Sequence, residues 1–216
     1  MEYQVQYQKY LEKVSSSLKE ACDRFLPEES EVCRAARYSL LGGGKRIRAV
    51  LVLSVCEMLG GDIAAAEQFA VAVEMLHCYS LIHDDLPCMD NDDLRRGRPS
   101  CHKAFSESTA MLAGDVLLTE AFEVIANAPA SAQACVRAAK ALGAGAGSHG
   151  MVYGQELDLK YEALAATEDQ LRLIHRNKTG ALINAAVQMG AAAAEADEET
   201  CNALEAYAYG IGLVFQ

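Results

Sequence analysis

Apolar residues recur along this chain at helical spacing, with Ala, Leu, Met, Glu and Lys abundant and no window of sustained alternation rich in β-branched residues. The pattern predicts an all-α chain. One helix closes at Gly42, Gly43 and Gly44, and another opens at about Lys45 and ends near Gly60 and Gly61. The segment from about Ile63 to Leu86 is apolar nearly all round, as expected of a helix buried in the middle of a bundle, and Pro87 should end it. Ser108 and Thr109 mark the start of a helix that runs to about Asn127, before Pro129. Thr167 with Gln170 three residues later forms a capping-box pattern heading a helix to about Gly190, and Asp197 can cap the next. No linker, low-complexity spacer or clean internal repeat interrupts the series, so a single helical domain is expected.

Composition narrows the function. With 216 residues, 51% of them hydrophobic, the chain can bury one sizeable core. A net charge of -11 argues against nucleic acid or any other polyanion held by a broad basic surface, so an anionic ligand must meet a local group of cations. Eight cysteines without a CxxC pair suggest neither a zinc site nor a disulfide framework, and fit a reducing compartment. The start, MEYQVQYQKYLEKV, has no apolar signal core, and no run of 18 apolar residues occurs. A cytoplasmic protein without membrane insertion is expected.

Chemistry concentrates where the long apolar segment ends. His77, Ser80 and Asp84 stand at i, i+3 and i+7, one stripe of a helix. Leaving such groups buried without partners costs roughly 2 to 7 kcal/mol each, so the stripe should line a cleft. Asp84, Asp85 and Asp90 offer carboxylate oxygens to a hard divalent cation, with Pro87 turning the chain to bring Asp90 toward the first pair. Asp92 and Asp93 read better as solvated loop residues. Arg95, Arg96, Arg98 and Lys103 follow directly. They could merely neutralise the acids in surface ion pairs worth about 0 to 1 kcal/mol. A guanidinium fork beside a metal-binding carboxylate set is also a diphosphate site in two halves.

Weaker signals lie elsewhere. In GGGKRIR, Lys45 and Arg48 share a face at a helix start behind three glycines. The run lacks the spacing, the following Ser or Thr and the preceding strand of a P-loop. Lys178 and Thr179 interrupt an apolar pattern in HRNKTGA, where a lysine at a helix surface is the ordinary reading. Gln155 and Asp158 follow Gly147, Gly150 and Gly154, a small-residue series that would permit close helix approach.

Together, GGGKRIRAVL, HCYSLIHDDLPCMDNDDLRRGRPSCH, LAGDVLL, GQELDL, HRNKTGAL and IGLVFQ resemble the trans-prenyl diphosphate synthases, most closely bacterial farnesyl diphosphate synthases (geranyltranstransferases), over residues 42 to 216. The resemblance implies a helical bundle around a deep central cavity, a homodimer, and a prenyltransferase that condenses isopentenyl diphosphate with dimethylallyl or geranyl diphosphate. It implies that Asp84, Asp85 and Asp90 bind two or three Mg²⁺ ions bridging the allylic diphosphate, which Arg95 also contacts. Lys45, Arg48, His77 and Arg96 match the positions that hold isopentenyl diphosphate. Lys178, Thr179 and Gln155 match those that steady the allylic diphosphate and the developing cation.

Tyr79 and Ser80 would shape the chain-length pocket. Tyr79 lies five residues before Asp84, about 7.5 Å along a helix axis. A ring there could floor the pocket, which together with the two extra residues of DDLPCMD resembles the type making the C15 product. A core role for Tyr79 would leave a deeper pocket and a geranylgeranyl product. Family members carry a second aspartate-rich motif shortly after the FQ, so residues 1 to 216 are expected to be a polyprenyl synthase domain lacking its C-terminal part. The alternatives are a shortened inactive or regulatory chain, a terpene cyclase, and a metal phosphohydrolase using His83 and Asp84.

Overall fold

The computed structural model of the protein describes residues 3–162, 164 and 166–215. It is helical almost throughout. In order come α1 (Tyr3–Phe25), α2 (Glu31–Leu40), α3 (Ile47–Met58), α4 (Ile63–Asp84), β1 (Leu94–Arg95), β2 (Arg98–Pro99), α5 (Cys101–Ala104) and α6 (Glu107–Ala126). Then follow α7 (Ala132–Ala146), α8 (Met151–Tyr161), α9 (Glu168–His175), a π-turn (Arg176–Gly180), α10 (Ala181–Ala193) and α11 (Glu198–Phe215).

Short polar side chains set many of the helix starts. The hydroxyls of Ser30, Ser106 and Ser131 accept from Cys33 N–H at 3.3 Å, Thr109 N–H at 3.1 Å and Ala134 N–H at 3.1 Å, each satisfying a donor that the first turn leaves unpaired. Thr167 and Gln170 form the reciprocal box, with bonds of 2.9 and 3.3 Å, and Asp197 accepts from Thr200 N–H at 2.8 Å. Apart from the helix expected from Thr167 to about Gly190, which the π-turn divides, and the start expected at Ser108 and Thr109, which lies at Glu107 behind Ser106, the first of two further departures is at α3, which begins at Ile47 rather than Lys45. Gly43, Gly44 and Arg46 hold φ of 84°, 122° and 52°, outside the helical region. Lys45 and Arg48 therefore do not share a helical face. The second is a two-residue antiparallel hairpin pairing Leu94 with Pro99 and Arg95 with Arg98. Its tight turn places both central residues, Arg96 and Gly97, at positive φ (53° and 74°), the geometry that matches strand twist.

Contact density divides the chain into two compact units, Met1–Val50 with Ala70–Asn127, and Leu51–Phe69 with Ala128–Gln216. In unit 1, α2 packs on α6, and Leu18, Leu26, Leu40, Leu76 and Leu117 are fully buried. Arg37 pins the α1–α2 corner by donating to Asp23 (2.6 Å) and to the Leu26 carbonyl (3.2 Å). In unit 2, α10 packs against α7 and α11, and eleven of its thirteen residues are buried, so close approach rather than an apolar stripe organises it. A Cβ on Gly145 would meet Ala185 Cβ at 2.6 Å, and one on Gly190 would meet the Val52 carbonyl oxygen at 2.6 Å and Val55 Cβ at 2.9 Å.

All eight cysteines are free thiols, and burial pushes Cys22 and Cys56 up to about 11 and Cys78 up to about 12, which keeps them protonated. Among the described residues no helix is long and apolar enough to cross a membrane. The tightness at Gly190 yields a stability expectation. Gly190→Ala should lower the urea midpoint by an amount equivalent to about 1 to 3 kcal/mol with the m-value unchanged, and an unaltered midpoint would show that the α3–α10 contact yields without cost.

Candidate active site

The polar stripe of α4, His77, Ser80 and Asp84, lies in unit 1. Its Ser80 hydroxyl bonds back to the His77 carbonyl at 2.8 Å. Beyond the helix end the chain doubles back: the Leu86 carbonyl accepts from Met89 N–H (2.8 Å) and Asn91 N–H (3.1 Å), and Asp90 N–H donates to the Asp84 carbonyl at 2.8 Å. The turn after Pro87 thus joins the main chains of Asp84 and Asp90. Asp84 is half-buried and Asp90 exposed.

Asp85 is arranged differently from the expected trio. Only 2% exposed, it receives Arg95 through Nε at 3.0 Å and also through Nη2, a bidentate pair. Asp92 lies 3.4 Å from the same guanidinium, and Asp93 pairs with Lys103 at 2.8 Å, whose hydrogen bond holds the Asp93 carboxyl below its ordinary value. Much of the acid and base in this stretch therefore neutralises itself, including Asp85 and Arg95, the residues that the resemblance directs to metal and diphosphate. α4 ends at Asp84, so Asp85 already belongs to the turn that follows it.

The glycine loop is tied down residue by residue. The Arg96 guanidinium donates to the Gly43 carbonyl and occupies the space that a Gly44 side chain would need. The Tyr7 hydroxyl of α1 donates to the Lys45 carbonyl at 2.5 Å. Arg46, 9% exposed, donates to the Leu40 carbonyl (2.6 Å) and to Glu74 (3.1 Å), and Glu74 also accepts Ala49 N–H at 3.3 Å. Arg98 stacks on the Tyr38 ring at 4.2 Å, while the Tyr38 hydroxyl donates to the Pro99 carbonyl at 2.9 Å, fixing the hairpin.

Several of these arginines act on His77 through their charge. Burial, then Arg48, Arg96, Arg46 and Arg95, hold its pKa well below the usual imidazole value, so it is neutral at pH 7. Burial also pulls the Arg48 guanidinium below its ordinary value, against the opposing pull of Glu74, and its buried Nε has no hydrogen-bond partner in the protein.

Tyr79 is buried, with its ring edge-on to His83 at 5.5 Å. His83 Nε2 bonds the Met111 carbonyl at 2.9 Å in a seat that α6 leaves open at Gly114. This commits His83 to α6. Among the described residues no three His, Cys, Asp or Glu are arranged for a metal, so neither a histidine-based phosphohydrolase centre nor the expected trio of Asp84, Asp85 and Asp90 is assembled by the protein alone.

Gln155, Lys178 and Thr179 belong to unit 2. Lys178 and Thr179 sit on the π-turn, and Lys178 Nζ pairs with Asp158 at 2.5 Å. Thr179 is buried, and the buried Gln155 Nε2 lacks a partner. The turn is held between glycines: a Cβ on Gly154 would lie 2.1 Å from Lys178 N, and one on Gly212 would lie 2.9 Å from Gly180 Cα. Single-turn π segments frequently mark functional positions.

Residues 29–216 match the polyprenyl synthetase family model. The chain belongs to the polyprenyl synthetase family. It is 43% identical over 215 residues to geranylgeranyl pyrophosphate synthase 4 of Arabidopsis thaliana, covering 97% of this chain and 58% of that protein. It is 43% identical over 207 residues to the farnesyl diphosphate synthase of Micrococcus luteus, covering 96% and 70%. Its all-α fold superposes on the solved geranyltransferase of Legionella pneumophila with a TM-score of 0.91 at 44% identity, covering 97% and 75%. The chain thus spans little more than half the length of the plant relatives it matches.

Glu74, Arg46 and Tyr7 were not singled out from the sequence. Glu74 did carry a signal, as an acid in an apolar helix three residues before His77. Tyr7 carried none.

The depressed His77 pKa has a defined consequence for stability. The unfolded chain takes up a proton as pH falls through about 6.5, and the folded chain does not, so stability is full above that pH and declines below it. Urea midpoints at pH 7.5 and 5.5 should diverge by at most about 1.4 kcal/mol per pH unit, and His77→Gln should reduce the difference. An identical difference in the variant would place the acid sensitivity elsewhere.

Proposed function

We propose that the chain is part of a trans-prenyl diphosphate synthase that joins isopentenyl diphosphate to an allylic diphosphate, dimethylallyl or geranyl, with farnesyl diphosphate as product. The observation that carries this reading is the pocket of unit 1 that Arg95, Arg96 and Arg98 line together with Asp85, Tyr38 and Ser100. Such a pocket calls for an anion able to accept several hydrogen bonds, and a diphosphate does so. In this reading Lys45, Arg48, His77 and Arg96 hold isopentenyl diphosphate. Arg95 contacts the allylic diphosphate, and within unit 2 Lys178, Thr179 and Gln155 keep the diphosphate-steadying role that the resemblance implies. Arg95 and Lys178 already donate to Asp85 and Asp158, and their remaining N–H groups are available to phosphate oxygens.

Asp84 and Asp90 fit a hard divalent ion, since the bond between their main chains brings two oxygen-donor side chains to one turn. Mg²⁺ is usually held by one or two carboxylates, retained waters and substrate phosphates, so a protein cage is not required. When bound, Mg²⁺ neutralises charge on the diphosphate. Asp85, held by Arg95, takes a supporting place in this reading.

The reaction follows from fixed charge. The allylic C–O bond breaks with its electron pair leaving on the diphosphate, where the cationic side chains stabilise the developing charge. The double bond of isopentenyl diphosphate attacks the allylic cation to form the new C–C bond. A proton then passes to the released diphosphate, and no side chain acts as nucleophile.

The pinned ring of Tyr79, set edge-on against a histidine that is itself bonded to α6, supports a rigid floor and a C15 product. The plant relatives named above favour a geranylgeranyl product as the second reading. The exposed Met111, Leu112 and Phe122 on α6 are consistent with a homodimer.

Incubating the full-length protein with isopentenyl diphosphate, geranyl diphosphate and Mg²⁺ should give farnesyl diphosphate by chromatography, and chelation should abolish it. Absence of any elongated prenyl product would overturn the reading. Tyr79→Ala should lengthen the products beyond C15, whereas an unchanged profile would remove Tyr79 as the floor.

A further inference from the structure

Residues 41–46 form no helix or strand, yet they carry Lys45 and lead into Arg48. Gly43 and Gly44 contribute the largest backbone freedom of any residue type, and Arg46 sits in the left-handed region, where a side-chain-bearing residue persists only if its surroundings fix it. The carbonyls show what fixes it. Gly43 C=O accepts from Arg96, Arg46 C=O accepts from Val50 N–H at 2.9 Å as the first bond of α3, and Lys45 C=O accepts from Tyr7. The first two come from groups already in the site or in the helix that follows. The third reaches across 38 positions from α1, a part of the chain that precedes the family match beginning at residue 29.

We propose that Tyr7 is a positioning residue for the homoallylic diphosphate: its hydroxyl fixes the Lys45 peptide, and through it the Lys45 ammonium and the start of α3 that bears Arg48. This rests on the reading of function given above. Tyr7 touches no substrate. It acts by restricting a loop that Arg46 and Glu74 anchor at its two ends, at Leu40 and Ala49, and Arg96 holds at Gly43, leaving the Lys45 peptide to Tyr7. Tyr7 stacks on Tyr3 with ring centroids 5.8 Å apart, so removing the hydroxyl alone leaves that ring contact of α1 in place.

The test is Tyr7→Phe in the full-length protein. Losing one hydrogen bond to the loop should raise KM for isopentenyl diphosphate roughly three- to tenfold, with kcat and KM for geranyl diphosphate within about twofold of wild type. Calorimetric titration with isopentenyl diphosphate alone should show the same weakening, and the melting temperature should be nearly unchanged. Amide exchange over residues 43 to 48 should accelerate in the variant. Equal rises in both KM values together with a lower melting temperature would reduce Tyr7 to a structural residue and overturn the proposal. Wild-type binding with an unaltered variant would also defeat it while leaving the functional reading intact. A wild type that binds no isopentenyl diphosphate would defeat the functional reading and this one with it.

Discussion

Glu74 is a carboxylate almost without access to water, and unit 1 is arranged around satisfying it. Stripping the hydration from such an ion costs several kcal/mol, which only close partners can offset. Arg46 and the Ala49 N–H supply them, and because Arg46 also holds the end of α2 through Leu40, one buried charge joins the end of α2, the start of α3 and the middle of α4. His77 lies one turn further along α4. The loop bearing Lys45, the helix bearing Arg48 and the stripe bearing His77 are thereby tied to one electrostatic centre.

The same logic separates the aspartates. Asp85 is buried and takes a bidentate guanidinium, as a desolvated acid must. Asp90 stays exposed, and the turn after Pro87 joins it to Asp84 through the backbone rather than by charge. That distinction, set by burial and not by residue type, separates the acids that brace the hairpin from those that can face a ligand.

Much of the scaffold was legible in the sequence. Helix ends are local events, so the capping box at Thr167 and Gln170, the cap at Asp197 and the end of α4 before Pro87 followed from short-range patterns. The late start of α3 did not, since it depends on Arg46 adopting a positive φ that only Glu74 and Leu40 make tolerable. The hairpin was missed because two-residue strands have no periodicity to read. At the site, residue types and spacing brought out Asp84, Asp90, Lys45, Arg48 and His77. They could not show that Asp85 and Arg95 meet each other, which depends on the hairpin turning back toward α4.

The alanine seam of α10 has a further consequence for how substitutions in this protein are interpreted. Alanine has almost no side chain to lose, so a random replacement at Ala185, which stands against Gly145, nearly always adds volume where a neighbouring helix already stands close. Tolerance there is one-sided: trimming is cheap and growth is not. A survey of accepted replacements would find such positions frozen for steric reasons alone, and an observer equating invariance with chemistry would place a reactive centre in a helix whose task is to be thin.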